Sequence, residues 1–186
     1  YLLTTGSNNV SIGESAGRLN QTANGNLAIG TAALYNATAG GNVGIGTQAA
    51  YNNTSGVNNV GIGENSLFSN STGNYNTAVG TYAGYSALGS RNVFLGFQAG
   101  YHETGANKLY IANDAGDFLI KGDFSAHTLE LKGTTTISDG YNLVFGTTTG
   151  TIIGQSGAKF AFWGATPVTQ RTLFGNITDG TDGPVG

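Results

Sequence analysis

The sequence predicts an all-β chain whose main body is a parallel β-solenoid, a β-roll of six to seven coils with 16 or 17 residues in each. Three observations predict it. A phrase of the type Asn-Val-Gly-Ile-Gly returns six times, and its closing glycines stand at 13, 30, 46, 63, 80 and 96, which is the signature of a repeat architecture. Glycine and asparagine recur too often inside these phrases for any apolar pattern at i, i+3, i+4 and i+7 to survive, so a helical reading fails. With 32 glycines and only 9% charged residues, but 39% hydrophobic ones, the chain is folded and mostly β rather than an extended polar tail.

Residues 1–8 read as a lead-in strand held by Leu2 and Leu3. The repeats follow over 9–117. Each phrase opens on Asn9, Asn26, Asn42, Asn59, Asn76 or Asn92, a column expected to form a stacked amide ladder that satisfies turn carbonyls coil after coil. Its other repeated members are Ile12, Ile29, Ile45, Ile62, Val79 and Leu95, which share strand parity with the residue two before them and so point to one face, taken as the core. Between them lie Ser11, Ala28, Gly44, Gly61, Ala78 and Phe94, mostly small, where a neighbouring backbone is expected to approach.

The second half of each unit keeps step. A small residue stands at Ala16, Ala33, Ala49, Ser66, Ala83 and Ala99, and two positions later comes Arg18 or an aromatic: Tyr35, Tyr51, Phe68, Tyr85 and Tyr101. This half reads as a second strand, closed by a polar turn such as Asn52-Asn53-Thr54-Ser55-Gly56, where Asn and Ser bond their own backbone. The aromatic column has two readings. Exposed rings would stack on sugars of a surface glycan, with a phenol adding a hydrogen-bonding tip; against that, Phe68 lacks the tip and the column shares parity with the small residues, which favours packing between coils. The intervening column, Gly17, Leu34, Ala50, Leu67, Gly84 and Gly100, reads as an uneven contact surface.

After Tyr101 the repeat decays. Lys108-Leu109-Tyr110-Ile111-Ala112 falls 16 residues after the sixth phrase, with Lys for Asn and Ala for Gly, as in a terminal capping coil. Residues 118–168 read as a β-rich region of short strands separated by Gly, Asp and Thr turns; His127 to Lys132 alternates like a half-buried strand, and aromatics gather around Trp163 before Pro167. Residues 169–186 are Gly/Asp/Thr-rich and read as an extended tail or linker. The chain has no methionine, from which it is expected to be a piece of a longer one.

One coil buries too little to stand alone. A Val, an Ile and an aromatic contribute on the order of 5 to 8 kcal/mol gross, against roughly 1 to 2 kcal/mol for ordering each residue. Stacking closes part of the gap and self-association is the natural source of the rest.

The phrase Asn42-Val43-Gly44-Ile45-Gly46 resembles the head repeats of trimeric autotransporter adhesins, although the present repeats are longer. The variant Asn76-Thr77-Ala78-Val79-Gly80-Thr81-Tyr82-Ala83-Gly84-Tyr85 is more similar to bacteriophage tail-fibre and tailspike repeats, and Asn107 to Phe124 resembles the segment that closes such blocks. The resemblance covers about half the chain. It implies a homotrimer on a virion surface, part of a tail fibre, spike or head fibre, in contact with other virion structural proteins and with a host surface glycan or receptor. The head of a bacterial trimeric adhesin and the non-catalytic stalk of a tailspike depolymerase are the alternatives it leaves.

The residues suggest no chemistry of their own. A net charge of -3 and the absence of any Lys/Arg run give no nucleic-acid surface, and no apolar run approaches a membrane span. The chain lacks cysteine, and His102 and His127 stand apart, so no zinc spacing exists. Glu103, Asp114, Asp117 and Asp123 lie close enough in sequence to invite comparison with a glycosidase pair, but nothing fixes their separation, and they read as coil caps. No catalytic residue, cofactor or metal is expected.

Overall fold

A computed structural model describes residues 6–133 and the backbone of two further short strands. The chain divides into two compact units, residues 1–135 and 136–186. The first unit is a nine-stranded sheet in strictly sequential order: β1 (Val10–Ile12), β2 (Leu27–Ile29), β3 (Val43–Ile45), β4 (Val60–Ile62), β5 (Thr77–Val79), β6 (Val93–Leu95), β7 (Lys108–Ile111), β8 (Ile120–Asp123) and β9 (Thr128–Leu131). In the second unit β10 (Lys159–Phe160) pairs antiparallel with β11 (Val168–Thr169). The expected strands at 140–154, the surroundings of Trp163, most of the tail and residues 1–5 lie outside the described residues.

From β1 to β7 the strands are parallel and in register, so each phrase sits on its counterpart: Val43 pairs with Val60, Gly44 with Gly61 and Ile45 with Ile62. The result is a β-solenoid of about six turns. Each phrase-closing glycine has φ between 109 and 137°, and a Cβ on Gly63 would meet the Gly80 carbonyl carbon at 2.6 Å, so the coil spacing itself requires glycine there.

The second half of the coil is not a strand. It is two successive hydrogen-bonded turns: Ala33 donates its N–H to the Gly30 carbonyl (3.2 Å) and Ala37 to that of Leu34 (3.2 Å). Left-handed residues, Ala32 with φ 55° and Leu34 with φ 48°, break the extended path and fold the coil more tightly than two strands would. The N–H groups between these turns still bond along the axis, Leu34 to Ala49 and Asn36 to Tyr51, so the turn wall carries its own ladder.

This tight coil inverts the expected inside and outside. Ala28, Gly44, Gly61, Ala78 and Phe94 are buried, whereas Ile12, Val79 and Leu95 are exposed and Ile29, Ile45 and Ile62 are only half-buried. The branched side chains face outward because the interior has no room for them. A mere Cβ on Gly44 would come within 2.9 Å of the Leu34 Cγ. The core consists instead of alanines from both walls with Leu34, Leu67 and Phe94. Leu34, Ala50 and Leu67, expected at a contact surface, are fully buried within the single chain.

Large and small residues compensate across this interior. Leu34 fills the space left by Gly44, and Phe94 lies where a Cβ on Gly84 or Gly100 would fall, 2.6 and 2.2 Å from its ring carbons. Each wall gives way where the other protrudes, which keeps packing tight along the axis.

Candidate functional site

Three constructions within the first unit order its buried amides, its aromatic rings and its outward apolar residues. The first is the asparagine column, which lies inside the coils. Asn42, Asn59, Asn76 and Asn92 are fully buried. Each accepts, at Oδ1, the backbone N–H of its counterpart in the next coil at 2.8–2.9 Å, from Asn9 through Asn92, which accepts from Lys108. Each Nδ2 donates to a turn carbonyl of the following coil, Asn42 to Gly56 (2.9 Å), Asn59 to Gly73 (2.8 Å) and Asn76 to Gly89 (2.9 Å). An amide is the side chain that supplies both a donor and an acceptor without charge, so it can be buried here at little cost. Lys108 has no acceptor to continue the row, and the solenoid ends at its coil.

The second is the aromatic column. Tyr35, Tyr51, Phe68, Tyr85 and Tyr101 stack one above another, with centroids 4.8–5.4 Å apart and interplanar angles of 3–20°. Arg18 occupies the first position, its guanidinium 5.4 Å over the Tyr35 ring and its Nη1 donating to the Tyr35 hydroxyl at 2.8 Å. Tyr82 leans against Tyr85 and Tyr101, and His102 meets Tyr101 edge-on at 4.8 Å. All five column residues are half-buried. Because every inner ring face is covered by the next ring, the column presents edges and hydroxyls. A sugar meeting it would be hydrogen-bonded rather than stacked.

The third is the outward face of the sheet. Val10, Leu27, Val43, Val60, Thr77 and Val93 form one row, and Ile12, Ile29, Ile45, Ile62, Val79 and Leu95 the other. At β8 the pairing turns antiparallel, yet residues directly opposite still share a face: Ile111 with Ile120 and Leu131, Leu109 with Gly122 and Leu129. The apolar face therefore runs without a charge from β1 to β9. Nine strands at about 4.8 Å spacing make it roughly 40 Å long. Leu129 and Leu131 are 63% and 47% exposed; the alternation from His127 to Lys132 marks them as one face, but the strand expected to be half-buried is exposed along its whole length.

The opposite side of β7–β9 continues the solenoid interior, where Tyr110 packs at 6.0 Å from Phe94, but there it turns polar. Lys108 pairs with Asp123, holding that carboxyl well below the usual carboxylate range, with help from Ser125 and the backbone of Ala126. Lys121 lies 5.3 Å over the Tyr110 ring. Burial, and then the hydrogen bond to Glu103, push the Tyr110 hydroxyl upward.

The sequence-flagged carboxylates are each engaged locally. Glu103 accepts from the Gly105 N–H and the Tyr110 hydroxyl, both at 2.8 Å; Asp114 caps Gly116 at 2.9 Å; Asp117 accepts from Phe118 and pairs with Lys132. No group of three or more potential metal ligands occurs among the described residues, and no helix there is long and apolar enough to cross a membrane. Compared with protein-family models, curated proteins and solved structures, the chain matches none.

Proposed function

We propose that this chain is a structural segment of a homotrimeric virion fibre, in a tail fibre, spike or head fibre, that supports attachment to a host surface. The observation that carries the reading is the uncharged outward face of β1–β9. A two-sided sheet whose second side is apolar needs a cover, and contiguous exposed apolar patches of more than a few hundred Å² mark interaction sites. A copy of the same chain is the natural cover, because its ridges repeat at the same coil spacing over the whole length. An unrelated surface matches that period over one or two coils only.

In this reading three faces pack around a common axis, other virion proteins hold the ends, and the turn walls with the aromatic column are left for a host glycan or receptor. Three identical weak contacts gain avidity through effective concentration rather than through one strong site. The acidic side chains serve turns and ion pairs, and the fibre segment has neither catalytic nor cofactor-binding work to do.

Sedimentation equilibrium of the purified chain tests the association. The wild type is expected at three times the chain mass. Ile45→Asp combined with Ile62→Asp, both outward and tolerated by the single coil, is expected to sediment as a folded monomer with at least tenfold weaker binding to bacterial cells. A folded wild-type monomer at micromolar concentration would overturn the reading.

A further inference from the structure

The aromatic column is also a row of hydroxyls at nearly constant spacing. Its rings follow one another at 4.8–5.4 Å from Tyr35 to Tyr101, because each coil delivers one ring. Arg18 donates to the Tyr35 hydroxyl, whereas those of Tyr51, Tyr85 and Tyr101 have no hydrogen-bond partner among the described residues. Phe68 interrupts the row. Two further rows neighbour it at the same period. Tyr82, three residues before Tyr85, leans on Tyr85 and Tyr101, and its counterparts in other coils include Gln48 and Gln98. His102, which follows Tyr101 and meets its ring, has Asn36, Asn52, Ser69 and Ser86 as counterparts. These six amide and hydroxyl residues are half-buried, so part of each faces solvent.

Such a wall excludes two kinds of partner. A peptide that adds itself as a strand needs free backbone groups, but the carbonyls of Tyr35, Tyr51, Phe68, Tyr85 and Tyr101 already accept the N–H groups of Leu19, Asn36, Asn52, Ser69 and Ser86. An acidic polymer needs cations to replace the water it gives up, and between Arg18 and His102 no residue of the three rows carries a charge. A fitting partner is neutral, rich in hydroxyls and regular along its length. A hexose chain with β-1,4 links has these properties, and it advances by about one coil spacing per sugar because its equatorial bonds keep it extended.

We propose that the aromatic column and its two neighbouring rows bind a neutral, extended polysaccharide of the β-1,4 type, laid along the solenoid axis with one sugar to a coil. The inference rests on the attachment role proposed above and names the class of glycan. Ring faces within the column are covered by the next ring, so each coil offers its sugar hydrogen bonds from phenol, amide and hydroxyl groups. One such set is weak, and affinity accumulates with the number of coils engaged. A chain coiled by α-1,4 links departs from the row after one or two sugars.

NMR titration of the purified full chain with cellobiose through cellohexaose tests the match of spacing. Affinity is expected to climb with each sugar up to five, one for each ring of the column. Cellohexaose is expected to bind about tenfold more tightly than maltohexaose, which has the same sugars in α-1,4 linkage, and about tenfold more tightly than the β-1,4 hexamer with carboxylates at C6. Two variants keep the ring stack and change only the hydroxyl row. Tyr85→Phe is expected to weaken cellohexaose binding several-fold, and Phe68→Tyr, which fills the interruption, to strengthen it by a similar factor, both at the wild-type melting temperature.

No binding of cellohexaose at millimolar concentration, equal binding of the α-linked or the acidic hexamer, or equal affinities of wild type and both variants overturns the inference. Sedimentation keeps its failure apart from that of the fibre reading. A trimer that binds bacterial cells but not cellohexaose overturns the glycan class alone. A folded monomer that binds cellohexaose with the expected preferences overturns the trimer and leaves the glycan site standing.

Discussion

The six coils and the β7–β9 meander share one sheet but are held together in opposite ways. In the coils, the polar groups are inside and uncharged: Asn59 is fully buried and takes part in hydrogen bonds on both sides of its coil. In the meander, the polar groups are charged and near solvent: Lys108 and Asp123 have side chains 25% and 23% exposed, and Lys132 and Asp117 more than half exposed. A buried amide that loses its partner cannot turn to water, but an exposed ion pair can. The coils should therefore be brittle toward single polar substitutions and the meander forgiving.

Breaking the ladder is the strongest test of that contrast. Asn59→Ala strips the acceptor from the Asn76 N–H and one of two donors from the Gly73 carbonyl, which keeps Asn70 Nδ2; at roughly 1 to 3 kcal/mol for the buried N–H left unpaired, chemical denaturation should report a loss of about that size. Asp117→Ala in the meander, which removes a solvent-exposed ion pair, should leave the denaturation midpoint almost unmoved. Equal losses would remove the distinction between the two regions.

The compensated interior comes next. Gly100→Ala puts a methyl group into the Phe94 ring at a left-handed φ of 63°, and overpacking of this kind costs about 1 to 3 kcal/mol. Adding Phe94→Leu should recover part of the loss, a coupling measurable in a double-mutant cycle; strict additivity would mean that the two walls do not compensate. Tyr51→Ala opens a gap in the middle of the aromatic column and should cost about 2 kcal/mol, below the 3 to 5 kcal/mol of a fully buried ring because Tyr51 is half-exposed to begin with. A variant that keeps its melting temperature and loses cell binding would make the column a binding surface.

Acid gives the smallest effect. The Asp123 carboxyl is held below its unfolded value, chiefly by Lys108, so its contribution is present above the unfolded pKa of about 3.9 and drains away as pH falls toward the folded one. The protection of β8 amides, taken relative to intrinsic exchange at each pH, should fall slightly between pH 5 and pH 3, while that of β3 and β4 stays unchanged. An equal fall at both places would point to a titrating group in the coils instead.

The repeat, its strands and the amide ladder were legible because every coil makes the same demand of the same positions. Parity alone did not say which face was inside, but the information was present. Asn26 and Ile29 are three apart and must point oppositely on a strand, so a buried asparagine column already requires outward isoleucines, and the glycine or alanine between Val and Ile must join the asparagine inside. The double turn was harder to see, since Ala32, Leu34, Gln48 and Tyr82 are residues that rarely take a left-handed φ. The turn hydrogen bonds within each coil and the inter-coil bonds on either side hold them there. The pairing of Lys108 with Asp123 depends on the β7–β8 register, which no local signal specifies.

One strand per coil also decides how the first unit bears load. Its chain enters at one end of the stack and leaves at the other, and the bonds between coils lie along that line, so a pull on the two ends opens them one coil at a time instead of shearing many together. Each coil that peels away frees 16 or 17 residues, a contour of about 55 Å at roughly 3.3–3.6 Å per residue, in exchange for one coil spacing of about 4.8 Å. A tug on the two ends is then absorbed as a series of small, nearly equal yields, and slackening lets the last coil lie back on a neighbour that never moved.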